Sequence, residues 1–306
     1  MLPTEYRVVA SGLRFPEGPV ALPDGSCLVV VMEGKALVRV WPDGSVTNVA
    51  ELGGGPNGAA MGPDGKCYIC NNGGVSFISD EFGLRPGGQA PDYVSGRIER
   101  VDIETGEVEV LYGHGSAGPL RSPNDIVFDA HGGFWFTDSG KTRPRDADRG
   151  SVYYARVDGS ECREVIFPML VPNGIALTPD QKHLIVAETH TARLWSFELA
   201  GPGEIVRKPW PSPHGGTLIV GMPGYQWFDS LALDAGGNIC VATLIKGGIT
   251  VVSPDGSKVS HVPLPDLYTT NICFGGPDMR TVFVTLANKG LLVALDWPTP
   301  GLSLNY

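Results

Sequence analysis

The sequence has few charged residues and no cluster of basic ones. Asp, Glu, Lys and Arg make up 18% of its 306 residues, and the formal net charge is -10. Because binding to phosphates needs clustered Lys and Arg, a nucleic-acid partner is not expected. No apolar stretch approaches membrane-spanning length, and the opening residues MLPTEY lack the basic and apolar regions of a secretory signal. We therefore expect a cytoplasmic protein with no membrane partner.

Two common hydrolase motifs are also missing, since the sequence contains neither GxSxG nor HExxH. This lowers the case for an acyl-serine enzyme or a zincin. Cys67 and Cys70 form a CxxC, but residues three apart in a strand point to opposite faces, so no shared metal or redox role is expected. Most of the cysteines lie in apolar, strand-like runs, which predicts buried thiols. The six are Cys27, Cys67, Cys70, Cys162, Cys240 and Cys273.

Glycine and proline are abundant, at 42 and 26 residues, and they recur beside Asp and Asn as in tight turns between short strands. One phrase, a short apolar strand that ends in a turn, returns six times. Its copies are PEGPVALPDG from Pro16, PNGAAMGPDG from Pro56, PNDIVFDAHG from Pro123, PNGIALTPD from Pro172, FDSLALDAGG from Phe228 and TNICFGGPD from Thr270.

Each phrase is followed by a near-continuous apolar run, as in CLVVV or GFWFTD, which predicts a strand covered on both faces. A third, half-exposed strand follows in every unit, and several units have a fourth. The last unit lacks a fourth strand, and the unpartnered run from Tyr6 to Ser11 can supply it. The sequence therefore predicts an all-β fold, a six-bladed β-propeller closed by its N-terminal strand, with residues 1–306 forming a single domain.

Aligning the six phrases places polar side chains at one shared position near the start of each inner strand, which we call the ring position. Amides there could serve only as turn formers, and this alternative is strongest for Asn57 and Asn271. Glu17 and Asp229 are harder to explain, because two unpaired acids near the axis would repel one another and be costly to desolvate. A bound cation removes both penalties, and all-oxygen ligation favours Ca²⁺ first, then Mg²⁺, Mn²⁺ or Zn²⁺. The ring positions are Glu17, Asn57, Asn124, Asn173, Asp229 and Asn271.

Four segments, FPEGPV, SPNDIVFD, PNGIALTPD and FDSLALDAGGN, occur in the order and spacing of a known family. On these segments the chain resembles senescence marker protein (regucalcin), gluconolactonase and luciferin-regenerating enzyme. The resemblance implies a divalent metal held by Glu17, Asn173 and Asp229, with Asn124 as a further ligand. It also implies hydrolysis of sugar lactones with Asp229 as general base.

One departure puts the sugar substrate in doubt. Sugar-lactone members commonly carry an arginine two residues before the further asparagine, where this chain has Ser122, and Arg121 is displaced by one. We expect walls around the site from three long segments, Gly73 to Gly96, Ser139 to Gly150 and Lys208 to Trp227. The predicted substrate-binding residues are Asn124, Arg121, Asn57, Asn271, Asp138, His190 and Trp227.

Aromatic side chains on these segments have two possible roles. They would either pack the loops against the protein surface, or bind a substrate whose ester ring is apolar rather than polyhydroxylated. They are Phe77, Phe82, Tyr93, Trp210, Tyr225 and Trp227. His114 and His190 are reserve proton carriers near the same face, and Asp138 and Glu188 end second strands there.

The sequence thus predicts a metal-dependent lactonase acting on a small-molecule lactone or ester. Three alternatives stay open: hydrolysis of another ester or a phosphorus ester, as in paraoxonases and phosphotriesterases; a non-catalytic calcium-binding propeller; and, least favoured, a condensation of the strictosidine-synthase type.

Overall fold

Strands and turns make up residues 2–3 and 5–306, the part of the chain that this computed structural model describes. No helix in that part is long and apolar enough to cross a membrane. The strand bounds, in chain order, are β1 (Arg7–Ala10), β2 (Pro16–Ala21), β3 (Cys27–Val31), β4 (Ala36–Val40), β5 (Val46–Glu51), β6 (Pro56–Met61), β7 (Cys67–Asn71), β8 (Val75–Asp80), β9 (Gly83–Gln89), β10 (Arg97–Val101), β11 (Val108–Tyr112), β12 (His114–Gly115), β13 (Gly118–Pro119), β14 (Pro123–Phe128), β15 (Gly133–Asp138), β16 (Gly150–Arg156), β17 (Cys162–Met169), β18 (Pro172–Leu177), β19 (His183–Glu188), β20 (Arg193–Gly201), β21 (Glu204–Val206), β22 (Thr217–Gly221), β23 (Trp227–Leu233), β24 (Ile239–Leu244), β25 (Gly248–Val252), β26 (Val259–Pro263), β27 (Thr269–Gly275), β28 (Thr281–Leu286) and β29 (Leu291–Asp296).

Six antiparallel sheets form the blades. Blade 1 contains β2 to β5, blade 2 contains β6, β7, β10 and β11, and blade 3 contains β14 to β17. Blade 4 contains β18 to β22, blade 5 contains β23 to β26, and blade 6 contains β27 to β29 with β1. Neighbouring inner strands contact one another in the order β2, β6, β14, β18, β23 and β27, and β27 returns to β2. The predicted six-bladed propeller is confirmed.

The N-terminal strand closes the circle of blades. β1 pairs antiparallel with β29, and Arg7 lies opposite Ala294 in that register. The first strand of the chain therefore completes the last blade, as the missing fourth strand of the last repeat predicted.

The hydrophobic core lies between the faces of adjacent blades. The second strands are buried throughout in blades 1, 2, 3 and 5, which explains their uninterrupted apolar sequences. Cys67 and Cys70 belong to two different core clusters on opposite sides of blade 2, and both thiols are free. The alternation that argued against a shared role for this CxxC is therefore present in the structure.

Candidate metal centre and active site

The ring positions coincide with a local irregularity in each inner strand. The pairing of the inner strand with its neighbour shifts register there in all six blades, for example between Glu17 and Val20 in blade 1 and between Pro172 and Ile175 in blade 4. Such shifts bend a strand and redirect its side chains. One distortion is therefore repeated around the axis. In four blades it leaves the ring residue unpaired, whereas Glu17 and Asn271 keep partners in Val30 and Thr285.

Glycine follows the ring position in three blades and allows neighbouring inner strands to approach closely. A Cβ atom on Gly58 would lie 2.4 Å from the carbonyl oxygen of Asn124, and one on Gly174 would lie 2.8 Å from that of Asp229. Real Cβ atoms essentially never come so close to backbone atoms. The missing side chains thus let residues from different blades converge.

Glu17 and Asp229 come from blades 1 and 5, and both side chains are buried. Burial raises the pKa of the Glu17 carboxyl well above its ordinary value, and the nearby charge of Asp229 raises it further. Burial is also the main cause that raises the pKa of Asp229 to about 8, against the favourable contribution of the Asn173 side chain. Two acids that have lost their water and repel one another resist ionisation, and a nearby cation would favour their charged forms.

Three ring residues also present oxygen atoms that have no hydrogen-bond partner. Within the described residues, seven buried side-chain nitrogen and oxygen atoms lack a partner, and three of these are Glu17 Oε2, Asn124 Oδ1 and Asn173 Oδ1. The Asn173 amide is held by its nitrogen, which donates to Thr189 Oγ1 at 3.2 Å and leaves the oxygen free. A buried acceptor without a partner costs roughly 1–3 kcal/mol. These atoms are unsatisfied in the protein alone.

This donor set fits a hard divalent cation. Carboxylate and amide oxygens are the ligands that Ca²⁺ prefers, and a cation would remove both the repulsion and the unsatisfied acceptors. No group of three or more His, Cys, Asp and Glu side chains suited to a metal exists among residues 2–3 and 5–306. A metal at this centre would therefore depend on the amides of Asn124 and Asn173 as well as on the two acids.

Asp125 is a third buried acid that the sequence analysis did not single out. Burial raises its pKa to about 7, and its charge contributes to the raised pKa values of both Glu17 and Asp229. Its backbone N–H donates to Thr137 Oγ1, and that hydroxyl donates to the carbonyl oxygen of Asn173 at 2.7 Å. The sequence did contain a signal for this acid. Asp125 directly follows a ring position, where three of the other blades have glycine.

The two remaining ring amides differ from the predicted ligands. Asn271 is fully engaged, because its nitrogen donates to Ser230 Oγ at 2.8 Å and its oxygen accepts from the Ile272 N–H at 2.7 Å. Asn57 is buried in the same ring, and its carbonyl oxygen is the atom that a Cβ on Gly18 would meet at 2.4 Å. Asn271 therefore supports the ring through hydrogen bonds rather than offering a free oxygen.

Asp138 holds the segment that leads to Asn124. Its carboxylate accepts the backbone N–H groups of Arg121 and Ser122, each at 2.7 Å, and that of Gly140 at 3.1 Å. Burial raises the pKa of Asp138, while these three donors act in the opposite direction. The Arg121 guanidinium pairs with Asp148 at 3.2 Å, and its charge also lowers the pKa of Asp138.

His190 and Trp227 lie together beside the ring, whereas His114 does not. The rings of His190 and Trp227 are 5.0 Å apart, and Thr189, the hydrogen-bond partner of Asn173, directly precedes His190. Burial lowers the pKa of His190. His114 lies in the short ribbon of β12 and β13, which contacts β17, the outermost strand of blade 3. The ribbon therefore lies against the outer strand of blade 3. A proton-carrying role for His114 at the metal face, our name for the end of the propeller that carries the ring positions, stays a prediction.

The first of the three long segments, residues 73–96, extends across neighbouring blades. Within 73–96, strands β8 and β9 form a hairpin that crosses blade 1, where Phe77 packs on Phe15 with ring centroids 5.2 Å apart. The hairpin then reaches blade 6, where the Leu84 N–H donates to the carbonyl oxygen of Asn288 at 3.4 Å. This segment therefore spans three blades at the metal face.

The segment Lys208 to Trp227 does not wall the site along its whole length. Its central part is β22, which pairs with β20 and adds a fifth strand to blade 4. Lys208 also bonds Glu198 of β20 at 3.3 Å. The expectation that the whole segment walls the site was wrong for this stretch, because residues 217–221 pair with β20 of blade 4. The end of the segment, at Trp227, leads directly into the ring position Asp229 on β23.

Comparison with known proteins gives a family match. Residues 15–288 match the family model described as SMP-30/Gluconolactonase/LRE-like region. A gluconolactonase of Zymomonas mobilis is 25% identical over 313 aligned positions, which cover 94% of this chain and 80% of that protein. A diisopropyl-fluorophosphatase of Loligo vulgaris is 32% identical over 200 positions, covering 60% of this chain and 59% of that protein.

A solved structure shares the fold over almost its entire length. The calcium-binding protein regucalcin of Agrobacterium tumefaciens superposes with a TM-score of 0.74 at 21% identity, covering 99% of both chains. At this identity the likeness establishes the propeller architecture alone.

Proposed function

The chain belongs to the SMP-30/gluconolactonase/LRE-like family, and from that premise we propose that it is a divalent-metal-dependent hydrolase that opens a lactone. Its relatives include a gluconolactonase and a diisopropyl-fluorophosphatase, both hydrolases. At the family level, the chain is therefore a hydrolase of lactones and related esters. The metal, its ligands and the catalytic base are the further steps of the proposal.

The observation that carries the proposal is the set of unsatisfied oxygens at the ring. Glu17 Oε2, Asn124 Oδ1 and Asn173 Oδ1 are buried without partners, and Asp229 lies within electrostatic reach of Glu17. We assign these four residues as the ligands of one divalent ion, with Ca²⁺ first and Mg²⁺, Mn²⁺ or Zn²⁺ as alternatives. When bound, the ion would polarise the ester carbonyl and stabilise the developing oxyanion.

Asp229 is the residue that we assign as general base. One of its carboxylate oxygens takes a proton from the water molecule that attacks the lactone carbonyl, and the same proton can later pass to the ring oxygen as the C–O bond breaks. Asn173 favours the ionised form of Asp229, which a base requires. Thr189 holds the Asn173 amide in place for this role. No serine nucleophile is needed in this scheme.

The similarity to diisopropyl-fluorophosphatase supports a second candidate, hydrolysis of a phosphorus ester or fluoride at the same centre. In both reactions water attacks an electrophilic atom, carbon or phosphorus, and the negative charge that develops on its oxygen must be stabilised. The ring residues would serve both in the same way. Turnover of a phosphofluoridate without turnover of any lactone would favour this candidate.

A hydrolysis panel tests the proposal. The metal-stripped protein is assayed against lactones, aryl esters and a phosphofluoridate, before and after addition of Ca²⁺, Mg²⁺, Mn²⁺ or Zn²⁺. We expect lactone hydrolysis that is lost on stripping and restored by at least one ion. Equal turnover with and without metal would contradict the ion-dependent scheme, and no turnover of any substrate would favour a non-catalytic calcium-binding propeller.

A further inference from the structure

One side of the metal face carries two groups of contacting aromatic rings, which together we call the aromatic arc. The ring of Trp227 is 5.0 Å from His190 and 5.7 Å from Tyr225, and Phe15 is 6.0 Å from Tyr268 and 5.2 Å from Phe77. The arc comprises His190, Trp227, Tyr225, Tyr268, Phe15 and Phe77.

The arc is anchored directly to the ring residues. Trp227 precedes Asp229 by two residues on β23, and Phe15 precedes Glu17 by two. Tyr268 precedes the ring position Asn271 by three residues, directly before β27 in blade 6. Burial raises the pKa of Tyr268, and the charges of Asp229 and Tyr225 act in the same direction. The arc therefore follows the ring on the side of blades 5, 6 and 1.

The arc also has surface to offer a ligand. Tyr225 is 72% exposed, while Trp227, Tyr268 and Phe77 are half-buried. The Tyr268 hydroxyl makes no hydrogen bond to any residue that the structure describes. Two charged groups of the β8–β9 hairpin, Arg85 and Asp80, act on Tyr268, and they pair with each other at 2.7 Å. The rings therefore offer a ligand mainly their apolar faces.

The opposite side of the face has polar groups, but they are already engaged. Lys141 Nζ donates to the Gly74 carbonyl at 3.0 Å and lies 4.7 Å from the Tyr93 ring, whose hydroxyl donates to the Arg121 carbonyl at 2.8 Å. The Asp138 carboxylate already accepts three backbone N–H groups. A lactone with several hydroxyl groups would find Lys141, Tyr93 and Asp138 already bonded within the protein, and unpaired hydroxyl groups cost binding energy.

From the aromatic arc on one side and the engaged polar groups on the other, we propose that the physiological substrate is a lactone or ester with an apolar, aryl-type group. This group packs on the aromatic arc, and the reacting carbonyl faces the residues at the ring positions. This inference rests on the proposed hydrolase function and narrows its substrate. It makes Tyr225, Tyr268 and Trp227 specificity-determining residues rather than catalytic ones.

Matched lactones test the inference by turnover. The test compares dihydrocoumarin, its monocyclic counterpart δ-valerolactone, and the polyhydroxylated glucono-δ-lactone in kcat/KM. Each kcat/KM is divided by the rate constant of the lactone's uncatalysed hydrolysis, which removes the advantage of the phenoxide leaving group of dihydrocoumarin. On this scale we expect dihydrocoumarin to be preferred to δ-valerolactone by about 10-fold or more, from one or two ring contacts, and glucono-δ-lactone to show no advantage. A preference for glucono-δ-lactone would overturn the inference while leaving the hydrolase proposal intact.

Variants locate the preference on the arc. Tyr225→Ala and Tyr268→Leu should each lower the ratio of kcat/KM for dihydrocoumarin over δ-valerolactone by roughly 2- to 10-fold. The matched control is Trp210→Ala, which removes an aromatic ring that is 87% exposed and lies outside the arc, and it should leave the ratio unchanged. Equal ratios in all four proteins would overturn the inference. Because Tyr225 is exposed, its variant carries little folding risk.

Binding without chemistry separates this inference from the proposed function. 2-Tetralone and cyclohexanone are carbocyclic counterparts of the two lactones and have no ester bond to hydrolyse. Calorimetry should show tighter binding of 2-tetralone than of cyclohexanone, and Tyr225→Ala should reduce the difference. This result would support the arc even if no lactone were turned over, whereas equal affinities would refute it.

Discussion

The metal-free protein should lose stability as the pH rises, because its buried carboxyl groups resist ionisation. Burial raises the pKa of Asp229 from 3.8 to about 8, and that of Asp125 to about 7. A folded-state pKa above the unfolded value gives stability that is complete below about pH 4 and is lost as the pH rises toward 8. The Asp229 shift of about four units corresponds to a loss on the order of 5 kcal/mol, at about 1.4 kcal/mol per unit.

Thermal unfolding of resin-stripped protein between pH 5 and 8.5 measures this loss. We expect Tm to fall by roughly 2 °C per pH unit for each carboxyl that titrates. Saturating Ca²⁺ should restore Tm, and should do so most at high pH, because the ion binds the ionised form. Asp229→Asn should flatten the slope, whereas Asp278→Asn, at an exposed surface position, should not. A Tm that rises or stays level over this range in stripped protein would refute the reasoning.

Three further predictions concern single residues. Asp229→Asn should lower kcat for lactone hydrolysis by on the order of a hundredfold or more with the fold retained, and unchanged turnover would remove it from catalysis. Gly58→Ala should destabilise the protein in denaturant titrations, because its Cβ would meet the Asn124 carbonyl at 2.4 Å, while Gly113→Ala, with nothing within 4 Å, should not. His214 is buried, neither of its ring nitrogens has a hydrogen-bond partner, and burial lowers its pKa. The protein should therefore lose stability as the pH drops below about 6.5, where the unfolded chain takes up a proton more readily than the folded one. His214→Phe should weaken this acid dependence, and an identical profile of stability against pH in the variant would contradict the prediction.

The fold was predictable because the signal was repeated. Six copies of one phrase, each with the same turn chemistry and the same apolar second strand, leave few arrangements other than radial blades. The need for a closing strand followed from counting strands, and the pairing of Arg7 with Ala294 meets it. The assignment of residues 1–306 to one domain stays a prediction.

The ring of the candidate site was also accessible from sequence, since aligned positions in a propeller share one end of the channel. The structure brings Glu17, Asp229 and the amides together, and their assignment as metal ligands stays a prediction. Asp125 was not predicted because it lies one residue after the ring position, where glycine is the common residue and a buried acid is the exception.

Features outside the repeat were the least predictable. β22 and the ribbon that contains His114 depend on which blade edge is open to accept another strand, and edge pairing is set by distant parts of the chain rather than by local pattern. The hairpin of β8 and β9 is similar, because its partners Phe15 and Asn288 are remote in sequence.

Location of the ion tests the central claim most directly. Crystals soaked in manganese chloride should show an anomalous peak at the ring, with oxygens of Glu17, Asn124, Asn173 and Asp229 at coordination distances of roughly 2.0–2.6 Å. A peak elsewhere, or an empty ring at saturating Mn²⁺, would contradict the account.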